Sequence, residues 1–290
     1  MRDESTNSKS KPDQHDEPES SSSFRFIVTG FGPFNGVPDN PTSILAKELV
    51  SYLRQKADCN DDDNDNDDKL ATNNKDARML ADCTDTMIVE TSAQAARHNV
   101  ALIQKKLEPY KSAIILHLGV DAGGTSFKLE SCAYNDATFR VPDESGYRPD
   151  KEPILDTCAL GSTLTTSVDV AALVETMNNN SDIGAASNDN NGSLRAHPST
   201  DPGRFVCNYI YCTSMDAFAC AKTINGEEQH QQHSEQGVPR IQSLFLHVPP
   251  FECVPKDEQL KFVTELMSAL YQQKHQVAVE KSGSAAALDE

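Results

Sequence analysis

Three short runs constrain the fold more than anything else in this chain. Phe24 to Thr29 (FRFIVT), Ala113 to Gly119 (AIILHLG) and Ser243 to Val248 (SLFLHV) are close to continuously apolar, and each stops at a glycine or a proline. A strand with one wet face alternates polar and apolar residues. One without that alternation is covered on both faces. Between these runs lie segments with helical spacing: Ser43 to Lys56 through Ile44, Leu45, Leu49 and Leu53; Ser92 to Glu108, stopped by Pro109; Val168 to Met177; Phe205 to Lys222; and Asp257 to Ala278. Thr86 to Glu90 reads as a further strand, and Phe127 to Val141 as strand and turn. Strands alternating with helices predict an α/β chain: one three-layer α/β/α domain with a mostly parallel, twisted central sheet. Such sheets collect ligands at the carboxyl ends of their strands. The loop Gly30 to Phe34, the loop Gly119 to Gly124 and the strand end at His247, before Pro249 and Pro250, should therefore converge on one face.

Charge is concentrated where the chain is least able to fold. Of a net charge of -18, residues 1 to 23 hold three basic and six acidic side chains, and residues 57 to 86 hold three basic and ten acidic ones. The expected organisation is a disordered tail over 1–23, a single folded domain over 24–280, and a flexible tail over 281–290. Polar insertions near 57–80, 178–192 and 225–238 are too hydrophilic to offset the entropy of ordering them. The remaining body has no basic stripe to neutralise phosphates, so nucleic acid is not an expected partner. No apolar stretch approaches the ~20 residues a membrane helix needs, and residues 1 to 23 lack the apolar core of a secretory signal. A cytosolic (cytoplasmic) location is the default expectation, with no membrane partner. The eight cysteines include no CxxC pair and no Cys/His zinc spacing, and without a secretory signal they read as reduced thiols. No metal or cofactor is expected. The Asp61 to Asp68 run fails as a calcium loop, because its sixth position is Asn66 and its twelfth Thr72.

One thiol stands apart. In Gly203-Arg204-Phe205-Val206-Cys207-Asn208 a glycine-turned loop leads into a helix, so Cys207 sits in the positive field of a helix start, which favours thiolate, the reactive form. Cys212 and Cys220 lie further along the same predicted helix and read as core. A cysteine nucleophile needs a base and a group to orient that base. His247, on a rigid strand end, is the best-placed base. His117 lies mid-strand in an apolar run and reads as sheet packing, and His230 and His233 fall in a Gln-rich insertion. For the orienting group, Glu130 interrupts an otherwise apolar and small segment. Arg140 and Asp143 also qualify as a structural ion pair or as charge binders, and spacing does not separate these readings.

The quoted segments resemble the type I pyroglutamyl peptidases (pyrrolidone-carboxylate peptidases). Thr29-Gly30-Phe31-Gly32-Pro33-Phe34 with Asn40-Pro41-Thr42 is similar to that family's N-terminal signature. His117 to Val120, Leu129-Glu130 with Asn135, Arg140 to Gly146, Ser199 to Asn208 and Phe245 to Pro249 follow in family order. The resemblance implies a cytosolic cysteine exopeptidase that hydrolyses the N-terminal pyroglutamyl residue from peptides, acting on peptide substrates without a cofactor. It implies a catalytic triad of Glu130, Cys207 and His247, and a lactam pocket of Phe31, Phe34, Val141, Phe205 and Val206, with Arg140 near the active site. Two positions depart from the family pattern: Pro202 stands where alanine is usual, and Val120 where many bacterial members have glutamine. The bacterial tetramer is not carried over, since the insertions could interfere with an interface; an oligomer is possible. A silent α/β binding protein using the same pocket is the alternative, and it would call for a replaced triad position, of which there is none.

Overall fold

The computed structural model describes residues 24–35, 38–58, 68–179, 195–218, 222–223 and 240–286. In chain order the elements are β1 (Phe24–Phe31), α1 (Pro41–Asp58), α2 (Asp68–Asp82), β2 (Thr84–Val89), α3 (Ala93–Leu107), β3 (Ser112–Val120), β4 (Phe127–Glu130), β5 (Cys132–Tyr134), β6 (Thr163–Thr165), α4 (Val170–Asn179), β7 (Ala196–Ser199), α5 (Val206–Ala217), β8 (Lys222–Thr223), β9 (Ile241–Val248) and α6 (Lys256–Ala286). Six strands form the central sheet in the order β2-β1-β3-β9-β4-β7, and β5, β6 and β8 form a small second sheet. The first four strands of the central sheet run parallel. β4 pairs antiparallel with β9 and parallel with β7, so the last two strands run the other way. The mostly parallel α/β sheet is the one the apolar runs predict.

Both faces are dry, as those runs require. One face, through Phe26, Val28, Leu116, Leu118, Leu244 and Leu246, packs on Leu45 and Leu49 of α1, Leu173 of α4 and Leu266 of α6. The other, through Phe31 and Phe245, packs on Ala96 and Val100 of α3 and on Val206, Ile210 and Met215 of α5. Helix starts are set by local chemistry. Ser92 caps α3, its hydroxyl accepting from Ala95 N–H at 3.1 Å, and two lysines close the last turn. Pro41 opens α1, where its missing N–H costs nothing, and Asn40 Oδ1 accepts from Thr42 N–H at 3.0 Å. Thr42 Oγ1 in turn accepts from Phe31 N–H at 2.9 Å, binding the end of β1 to the start of α1. A methyl group at Gly30 would stand 2.0 Å from the Thr42 carbonyl oxygen, so this approach requires glycine.

Several sequence expectations need correction. Residues 57–80 were expected to be a polar insertion, yet α2 begins at Asp68, packs on α1 and buries Ala77, Leu80 and Ala81. Asn178, expected to open the second insertion, belongs to α4, and its side-chain amide exchanges two 3.0 Å hydrogen bonds with the backbone of Ala196. Helix α5 ends at Ala217 and not at Lys222; Cys220, His230 and His233 lie outside the described residues. Helix α6 runs to Ala286, past the expected start of the C-terminal tail at 281. The tail over 1–23 also lies outside the described residues. Among the described residues no helix is long and apolar enough to cross a membrane.

Candidate active site

Three elements deliver three side chains to one end of the sheet. β9 carries His247 one residue before its end, and β4 runs antiparallel beside it with Lys128 opposite His247 and Glu130 opposite Phe245. Directly opposed residues share a face, and a diagonal neighbour two residues on is within reach of a long side chain. Glu130 is that neighbour. Its Oε1 lies 2.8 Å from His247 Nδ1, with Glu130 fully buried and His247 only 8% exposed. The carboxylate fixes the tautomer, accepting a hydrogen bond from Nδ1–H and leaving Nε2 for another partner. Cys207 acts on the same imidazole and raises its pKa.

Cys207 is brought there by the start of α5. Gly203 turns the loop at φ +77°, in the left-handed region that favours glycine. Phe205 takes the N-cap position and gives no side-chain cap, so the first-turn N–H groups are not claimed by a capping oxygen. The next helical residue, Asn208, is fully buried. Its Oδ1 accepts from Tyr134 N–H at 2.8 Å, and its Nδ2 donates to the carbonyls of Tyr134 (2.9 Å) and Asp136 (3.0 Å), fastening the helix start to β5. On the sheet side the sulfur faces Gly119. A methyl group there would stand 3.0 Å from Cys207 Sγ and 2.6 Å from Phe245 Cζ, so the end of β3 has to be bare for the thiol to sit where it does. Tyr211 of α5 donates its hydroxyl to the Glu130 carbonyl at 2.9 Å, tying the nucleophile helix to the carboxylate's strand as well.

Burial opposes a charged imidazole at His247. The hydrogen bonds to Cys207 and Glu130 and the negative charge of both outweigh it, and the pKa is raised above its ordinary 6.5. His117 lies on the same face, one strand over. Burial alone pushes its pKa down to about 3, and its Nδ1 is 2.8 Å from Thr29 Oγ1. It is a packed, neutral histidine, as its mid-strand position predicts. Burial likewise pushes the Cys212 thiol up, in keeping with a core role.

The other expected site residues divide. Phe34 and Phe205 meet with ring centroids 5.1 Å apart, and Phe205 continues edge-on to Phe139 at 4.7 Å, giving an aromatic group beside the Cys207 helix start. Phe31 and Val206 are buried in the core cluster that holds Phe139 and Phe245, so they back this group without facing solvent. Val141 is 40% exposed on the neighbouring loop. Arg140 is exposed, and its guanidinium makes no hydrogen bond or ion pair among the described residues. The Arg140–Asp143 ion pair does not form either. Asp143 instead accepts from Ala93 N–H (2.8 Å) at the start of α3, from Ser145 N–H and Oγ, and from Tyr147 N–H, locking the loop that carries Val141. Pro202 is buried in the loop before Gly203. Val120 packs on the opposite core cluster, away from the sulfur. Sequence reasoning passed over Thr29, Phe139 and Asn208; the signal for Asn208 was an amide inside the apolar run Val206 to Cys212. Among the described residues no group of three or more His, Cys, Asp or Glu side chains could hold a metal ion.

A model of the pyroglutamyl peptidase family matches residues 85–287. The pyrrolidone-carboxylate peptidase of Pyrococcus furiosus is 25% identical over 227 residues, covering 78% of this chain and 80% of that protein. Its counterpart in Levilactobacillus brevis is 21% identical over 225 residues, covering 78% and 81%. Two solved structures share the fold. The pyrrolidone carboxyl peptidase from Thermococcus litoralis has a TM-score of 0.57 at 18% identity, covering 87% of this chain and 95% of that one. The pyroglutamyl peptidase I of Bacillus amyloliquefaciens has a TM-score of 0.54 at 20% identity, covering 83% and 94%.

Proposed function

On the premise that the chain belongs to the pyroglutamyl peptidase family of cysteine peptidases, we propose that it hydrolyses the N-terminal pyroglutamyl residue from peptides, with Cys207 as nucleophile, His247 as base and then acid, and Glu130 orienting His247. The observation that carries this reading is the single imidazole that lies 2.8 Å from Glu130 Oε1 and also interacts with Cys207 at the start of α5. Cys207 Sγ, its proton taken by His247 Nε2, attacks the carbonyl carbon of the pyroglutamyl residue. First-turn N–H groups of α5 stabilise the oxyanion, each such donor being worth ~3 kcal/mol in comparable sites. As the tetrahedral adduct collapses, His247 gives its proton to the leaving nitrogen, the C–N bond breaks and the peptide departs with a free amine. Water then attacks the thioester carbonyl, His247 takes the water's proton, and pyroglutamate leaves as the thiolate is restored.

The lactam ring is neutral and flat, which suits an aromatic group of Phe34, Phe205 and Phe139 better than a charged pocket. Discrimination against N-terminal proline would rest on hydrogen bonds to the lactam N–H and C=O, a kind of contact that rejects analogues by up to ~10⁴-fold. The test is a comparison of fluorogenic amides. Hydrolysis of the pyroglutamyl amide far faster than of the prolyl amide, abolished in Cys207→Ala and His247→Ala, supports the assignment. Equal rates on the two amides would overturn it.

A further inference from the structure

A further charged group lies close to His247 besides the two partners already described. β9 lies between β3 and β4 in the sheet. Gly119 of β3 and Lys128 of β4 are its register partners, one on each side. Asp121, two residues beyond Gly119, keeps the ladder going by donating its N–H to the Val248 carbonyl at 2.9 Å. Its Oδ2 lies 2.6 Å from Lys128 Nζ. An ion pair that starts on β3 and ends on β4 must therefore cross β9, and it does so at the level of His247.

We infer that Asp121 and Lys128 form a strap over the end of β9 whose charge the His247 imidazole meets in addition to Cys207 and Glu130, making them a positioning pair for its acid–base work. The consequence for catalysis rests on the function proposed above; the strap itself does not. The loop after β3 is shaped to hold the carboxylate. Gly123 N–H donates to Asp121 Oδ1 at 3.3 Å, and Gly124 N–H to the Asp121 carbonyl at 2.9 Å. A methyl group at Gly124 would stand 2.7 Å from Asp121 Oδ2, so that glycine clears the space the carboxylate occupies. With 42% of the Lys128 and 26% of the Asp121 side chain exposed, the pair adds little to stability, which leaves its field as its main effect. Asp121 is held below the ordinary carboxylate range; burial works against this, but Lys128, Gly123 N–H and the charge of His247 outweigh it.

The charged and titratable groups around His247 are then Cys207 from α5, Glu130 and Lys128 from β4, and Asp121 from the end of β3. Beyond Lys128, His197 of β7 stands in register with it, and Asp201 acts on it from the loop before α5. Removing one end of the strap leaves the other end's charge uncompensated, so the two ends should act with opposite sign. A purely structural role would move both variants the same way.

The experiment is an NMR titration of ring-labelled histidines in the full chain, with His247 assigned by its loss in His247→Gln. In Asp121→Asn the uncompensated ammonium should lower the His247 titration by roughly half to one pH unit; in Lys128→Gln the uncompensated carboxylate should raise it by a similar amount. The double variant should return close to the unaltered protein, and 1 M salt should shrink both single shifts. Single variants that shift in the same direction, or that shift nothing, would overturn the strap. The alkaline limb of kcat/KM on a pyroglutamyl amide should follow the same signs. If that amide is not hydrolysed at all, the proposed function fails while the NMR titration still decides the strap.

Discussion

Two buried imidazoles lie on the same face of the central sheet, on adjacent strands, and their pKa values are displaced in opposite directions. His117, in the middle of β3, meets only the hydroxyl of Thr29, and burial holds it neutral. His247, at the end of β9, meets a carboxylate and a thiol, and these overcome a comparable burial. The side chain and the sheet are the same; the partners differ. Depth along the strand decides what those partners can be. Mid-strand neighbours come from the sheet itself and are apolar or hydroxyl-bearing. At the carboxyl end, loops and a helix start bring charge.

Five substitutions would sharpen or break this contrast. The largest effect is expected from Cys207→Ala, which should reduce hydrolysis of a pyroglutamyl amide by ~10⁴-fold or more. It should also lower the His247 titration, since one raising partner is gone, while His117 stays neutral; NMR and kinetics on one sample check both. Glu130→Gln keeps the shape and removes the charge, so kcat should fall by roughly 10²-fold or more with His247 titrating lower. Unchanged activity would detach Glu130 from the mechanism. Gly119→Ala pushes on Cys207 Sγ and Phe245 without touching any charge. A displacement of the nucleophile by a fraction of an ångström should cost on the order of 10-fold to 10²-fold in kcat with little change in KM, as initial rates will report.

The smallest change in activity, and the clearest change in stability, belongs to the inner histidine. Thr29→Val leaves His117 Nδ1 buried without a partner and should cost about 1–3 kcal/mol in urea unfolding, with kcat near that of the unaltered protein. The pH dependence carries a sign. His117 is neutral in the fold down to about 3 and titrates near 6.5 in the unfolded chain. Between those values the unfolded state binds the extra proton. The stability it contributes is fully present above 6.5 and is lost as pH falls towards 3, at up to ~1.4 kcal/mol per pH unit. His117→Leu should flatten that acid slope; an identical slope in the variant would show that other groups dominate it.

Much of this was legible in the residues. Continuous apolar runs gave the central strands, because burial on both faces leaves no room for alternation. Cys207 was visible through Gly203, since a left-handed glycine before an apolar segment marks a helix start, and His247 through the prolines behind it. Helix α2 was not visible: its Asp, Asn and Lys content reads as solvated chain, and what orders it is tertiary, with Ala77, Leu80 and Ala81 buried and the helix packed on α1. The partners of Asp143 were hidden too. A carboxylate next to an arginine suggests a pair, but four N–H and O–H donors presented by the loop and by α3 outcompete a solvated guanidinium. Which residues face each other across β9 depends on strand direction, and no local pattern in a four-residue strand encodes that.

That direction has a result of its own. Because β4 runs against β9, its earlier residue, Lys128, comes out at the mouth and its later one, Glu130, goes one step inward. Were the strand reversed with its sequence unchanged, the acid would be the wet end and the base the dry one. Topology, before any side chain is chosen, has decided which of two opposite charges is shielded from water.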